Sequence, residues 1–169
     1  MSVSSKNRSD AGERMKPQVL EIPNEVMIPA IKAFIDEGRT TTFIVRGYSM
    51  RLFLEHERDK VILQHVQEPV KKGDVVLAEI APKRYVLHRI VRCEGGNLTL
   101  RGDGNVCGVE HCKESDVIGI AIGFYRKGRT KPDMVSGLKW RMYSAIWLAL
   151  TPFRRYILAF YRRIWLRIF

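Results

Sequence analysis

With 169 residues and 46% hydrophobic content, the chain can bury one core of ordinary size, and two full domains would be cramped. The net charge of +11 is uneven: nine basic residues between Arg129 and Phe169 are opposed only by Asp133, so the excess belongs to a tail and argues against an evenly basic nucleic-acid surface. Met1 to Lys16 carries no apolar core of a secretory signal, and Cys93, Cys107 and Cys112 are an odd count without framework spacing, so reduced thiols in a cytoplasmic setting are expected.

Residues 1–18 mix Ser, Lys, Arg, Asn and Asp and read as a flexible leader. A short helix is expected from Pro29 to Glu37, stopped by Gly38, with Met27, Ala30, Ile31 and Phe34 as its apolar face. From Thr40 the residue types turn to β formers and run through Val45 into Gly47-Tyr48-Ser49-Met50, so Ser49 lies just past a strand. Further strands are expected at Lys60 to Val66, Asp74 to Ile80, Arg84 to Cys93, Asn97 to Arg101 and Asp116 to Arg126, separated by turns such as Lys72-Gly73-Asp74 and Gly95-Gly96-Asn97. Short strands in succession with few helices between them predict a mostly β domain over residues 19–128, an antiparallel sheet or partly open barrel. After Gly128, residues 129–169 form a basic, aromatic tail. Phe153, Ile157, Phe160, Ile164 and Ile168 recur at helical spacing there, with Arg155 and Arg162 opposite them. Its apolar runs, broken by arginines and Pro152, fall short of the roughly 20 residues needed to span a bilayer.

Three residue types in this order can carry acyl-transfer chemistry. A serine needs a base to take its proton, a group to hold that base, and donors for the oxyanion. Ser49 taken alone reads as part of a turn. His88, in Leu87-His88-Arg89-Ile90, shares a strand face with Val86 and Ile90; it reads as a hydrogen-bonded core histidine or as a base titrating near neutrality. Asp103, in Arg101-Gly102-Asp103-Gly104-Asn105, fits an Asx-type turn or a carboxylate orienting an imidazole. Cys93, Cys107, His111 and Cys112 lack paired zinc spacing, so no metal is expected, and neither is a cofactor. His56 lies in a charged turn and His65 on a separate strand, and Glu55 with Glu57 reads as a solvated loop.

Taken together, Gly47-Tyr48-Ser49-Met50, Lys72-Gly73-Asp74-Val75-Val76, Leu87-His88-Arg89-Ile90-Val91, Arg101-Gly102-Asp103-Gly104-Asn105 and Val117-Ile118-Gly119 resemble the signal peptidase I and LexA-like repressor superfamily of serine peptidases, over about Thr40 to Tyr125. The resemblance implies a mostly β fold of coiled sheets and hydrolysis of a peptide bond in a protein or peptide precursor. Ser49 would be the nucleophile, its N–H part of the oxyanion hole, and His88 the general base in place of the lysine used by bacterial members. Asp103 is the third member implied, with Glu110 as substitute. The chain departs from the pattern in several places: Leu52 stands where a proline is usual, and Gly47 where a hydroxyl donor often lies. No membrane anchor or DNA-binding helix-turn-helix is legible ahead of Ser49.

Two other functions compete. One is a peptide- or partner-binding protein of this fold with little catalysis. The other is a module acting through its basic tail on an anionic membrane surface, on the inner face of the membrane, with nucleic acid the less favoured partner.

Overall fold

The computed structural model describes residues 23–165, so the leader expected at 1–18 lies outside the described residues. Helix α1 (Asn24–Asp36) is followed by strands β1 (Thr41–Ile44), β2 (Lys60–Gln64), β3 (Val75–Ala81), β4 (Arg84–Glu94), β5 (Asn97–Arg101), β6 (Glu110–Lys113), β7 (Val117–Tyr125) and β8 (Asp133–Met134). Helices α2 (Leu138–Ala149) and α3 (Arg154–Phe160) and a π-helical turn (Tyr161–Trp165) complete the described chain. All described strand pairs are antiparallel. The strand order is β1-β2-β7-β3-β4-β5-β6, with β8 added to β7, and the sheet is not closed. A mostly β fold of antiparallel strands with helices at either end is therefore what this sequence forms.

Alternation along β3 explains the layering. Val75 and Leu77 point to one face and join Ile31, Ile35, Phe53, Val61, Phe124 and Trp140, while Val76 and Ala78 point to the other with Ile90, Leu98 and Leu100. A central strand buried on both faces needs apolar residues at every position, which Val75-Val76-Leu77-Ala78 supplies. On the first face Phe53 meets Phe124 edge-on at 4.8 Å and Trp140 at 4.4 Å. Full burial of such a side chain stabilises by about 1.5–3 kcal/mol.

Several elements differ from expectation. Helix α1 starts a turn and a half earlier than Pro29, which sits inside it. Its buried face is Ile28, Ile31 and Ile35, whereas Phe34 remains exposed. β6 and β8 were not expected: Glu-His-Cys-Lys and Asp-Met carry no apolar alternation and become strands only by pairing with β5 and β7. The tail is docked on the β domain, since Trp140 belongs to the core and Trp147 is buried as well.

Candidate active site

The turn holding Ser49 is built by its neighbours. Val45 N–H donates to Asp59 O (2.9 Å), and Phe53 and Leu54 N–H both return to Met50 O at 3.2 and 2.8 Å, so buried Met50 anchors the turn in the core. His56 Nδ1 accepts from Gly47 N–H at 2.9 Å, and its ring lies 4.8 Å from that of Tyr48. His56, which reads in sequence only as part of a charged turn, is a clasp across the base of the serine turn. Gly47 has φ 99°, a conformation that disfavours any side chain, so a serine hydroxyl at this position would come with backbone strain. Leu52 has φ 79°, which a proline fixed near −65° could not adopt. The two departures at Gly47 and Leu52 are thus both consistent with the backbone of this turn.

The Gly102-Asp103-Gly104 loop presses on the same turn. Gly104 N–H donates to Ser49 O at 2.7 Å. A Cβ at Gly102 would fall 2.3 Å from Ser49 O and 2.9 Å from Ser49 Cβ, and one at Gly104 2.6 Å from Tyr48 O. Both positions therefore require glycine for close approach.

Register sets His88 toward the turn that follows β5. Arg89 pairs with Arg101, so one further antiparallel step sets His88 level with Gly102. A Cβ at Gly102 would in turn meet Ser49, first its carbonyl oxygen and then its Cβ. Glu110 reaches His88 from the next strand: Ile90 pairs with Leu100 and Leu100 with Glu110, which puts Glu110 on the same face as His88. His88 Nδ1 and Glu110 Oε2 are 2.9 Å apart. A carboxylate only accepts, so Nδ1 carries the hydrogen and Nε2 keeps its lone pair. No hydrogen bond joins the ring to Ser49 among the described residues.

His88 is 3% exposed. Burial lowers its pKa below the usual imidazole value, opposed by the charge and hydrogen bond of Glu110 and more weakly by the charge of Asp103. The ring is therefore neutral near pH 7 and able to accept a proton.

Asp103 does not hold the imidazole, and the expectation that it would is corrected here. Its two oxygens receive Arg89 Nε (2.9 Å) and Arg89 Nη2 (2.7 Å), and Oδ1 also accepts from Trp147 Nε1 at 2.9 Å. Arg89 Nη1 donates to Gly73 O (2.9 Å) and Ser144 Oγ (2.8 Å), and the guanidinium lies 4.9 Å from the Trp140 ring. Both partners are fully buried. Strand alternation sends His88 to one face and Arg89 to the other, and Arg89 ties the Lys72-Gly73-Asp74 turn, the Gly102-Asp103-Gly104 loop and α2 into one unit. Arg154, 2% exposed, has no hydrogen-bond partner for any guanidinium nitrogen among the described residues and rests 5.2 Å from the Trp147 ring.

Among the cysteines, all free, Cys93 Sγ faces Val70 O at 3.7 Å. No group of three or more His, Cys, Asp or Glu side chains among the described residues is arranged to hold a metal. A cleft of about 390 Å³ lined by Tyr48, Arg51, Gly104, Leu158, Tyr161 and Arg162 opens next to the serine turn. Comparison with known proteins returns no matching family model and no matching curated protein.

Proposed function

We propose that the protein is a serine peptidase of the signal-peptidase and LexA-like kind, cleaving a peptide bond in a protein or peptide precursor through Ser49. The observation that supports this reading is the buried His88 imidazole held by the Glu110 carboxylate at 2.9 Å, together with the Ser49 turn pressed on the Gly102 loop that follows the neighbouring strand.

His88 Nε2 takes the Ser49 proton as Oγ attacks the carbonyl carbon, and the imidazolium that forms is stabilised by Glu110. The Ser49 N–H, for which no acceptor is present among the described residues, donates to the oxyanion. Collapse of the tetrahedral adduct passes the proton to the leaving amine, and water then releases the acyl group by the same route. Arg89 and Asp103 fix the strand and loop that set this geometry, without touching the reacting atoms.

A second reading is a peptide-binding protein of this fold with little turnover. The missing Ser49–His88 hydrogen bond favours it, although catalytic hydrogen bonds are often loose before substrate binds. Incubating the protein with a mixed peptide library and reading products by mass spectrometry separates the two. Specific cleavage is expected from the wild type and none from Ser49→Ala or His88→Ala; an unchanged product pattern in both variants would sink the peptidase reading.

A further inference from the structure

From the apolar line read in the tail sequence, Phe153 and Phe160 do not pack on the domain. α3 is held down by Arg154 and Leu158, which are 2% and 1% exposed, while Tyr161 donates to Glu55 Oε1 and Arg162 Nη2 to Gly104 O at 3.3 Å. This turns Phe153, Tyr156 and Phe160 outward, at 58%, 58% and 65% exposure. α2 repeats the arrangement: Trp140, Ser144 and Trp147 face the domain, and Leu138, Met142 and Ile146, spaced four apart, stand 71%, 55% and 54% exposed. Six large apolar side chains in two helical stripes are far more than the scattered exposure normal for a surface.

Charge identifies what covers them. From Leu138 to Arg163 the sequence has six arginines and lysines and no acid. Lys139, Arg141, Arg155, Arg162 and Arg163 are exposed, and Arg155 lies 4.5 Å over the Tyr156 ring. A second copy pressed on these stripes would bring like charges together, whereas an anionic bilayer offers acyl chains for the stripes and headgroups for the cations. Aromatic side chains edged by arginine suit the headgroup level. Among the described residues no helix is long and apolar enough to cross a membrane.

We infer that α2 and α3 seat the protein on an anionic lipid surface through Leu138, Met142, Ile146, Phe153, Tyr156 and Phe160, with Arg155 and Arg163 on headgroup phosphates. This holds whether or not Ser49 reacts, so its test and that of the peptidase reading are independent.

The experiment is flotation of the full chain with phosphatidylcholine vesicles, with and without phosphatidylserine. Binding is expected only with phosphatidylserine, weakened by salt. Phe153→Ser/Tyr156→Ser/Phe160→Ser, whose sites are exposed, is expected to keep its melting temperature and lose vesicle binding. Arg155→Gln/Arg163→Gln is expected to weaken it by about 25-fold, at roughly fivefold per arginine. Equal binding to both vesicle types, wild-type binding by the serine variant, or no flotation with phosphatidylserine, as when a dimer or a protein partner covers this face, would each overturn the inference.

Discussion

His88 and Arg89 are neighbours in sequence and serve unrelated ends, because successive side chains of a strand leave by opposite faces. The sequence makes Ser49 and His88 visible through residue type and motif. It does not identify the carboxylate, because that choice depends on β6, a four-residue strand whose register places Glu110 opposite Leu100. Asp103 was the more conspicuous acid, in a glycine-flanked turn, but Arg89 claims both its oxygens. Paired substitutions separate the two acids. Asp103→Asn leaves Arg89 as a buried cation without its full partner and is expected to cost about 3–5 kcal/mol in denaturant unfolding. Glu110→Gln, at a half-buried position, is expected to cost less than about 1.5 kcal/mol and to lower kcat instead. Glu110 also raises the His88 pKa against the effect of burial. Its replacement should therefore move the acid limb of the kcat/KM profile to lower pH, from a wild-type limb already below the ordinary imidazole value near 6.5. An unchanged limb would separate Glu110 from the base.

Among the elements, the loop after β5 does more than reverse the chain. Gly102 reads in sequence as ordinary turn punctuation, and only the packing shows that a Cβ there would meet Ser49 O at 2.3 Å. Gly102→Ala is expected to push the serine turn away, costing about 1–3 kcal/mol in stability and abolishing peptide cleavage; a variant as stable and active as wild type would show that this contact does not position Ser49. The main strands were legible because β-branched runs end in clear turns. Helix α1 was legible as a helix and partly in its face: Ile31 and Met27 pack on the core as expected, while Ile28 and Ile35 take the places expected of Ala30 and Phe34. β6 and β8 were not legible, since their pairing is tertiary and their residues carry no periodic signal.

At the scale of the whole molecule, one face of the sheet holds the His88–Glu110 pair and the other holds the Arg89–Asp103 clasp, closed by α2. The tail's amphipathic character was plain from spacing. Its orientation was not, because Arg154 turns inward over Trp147 and Phe160 outward, against the ordinary sorting of charged and apolar groups. Tyr161 and Arg162 then return to Glu55 and Gly104, so the surface-facing helices end beside the serine turn. The central claim is that Ser49 reacts with His88 as its base, and trapping the acyl-enzyme tests it most directly. The protein would be mixed with an activated ester of a peptide it cleaves, quenched in acid and mapped by mass spectrometry. The expected result is one acyl group on Ser49 in the wild type and none in His88→Ala; an acyl group on another residue, or equal acylation of Ser49 without His88, would contradict it.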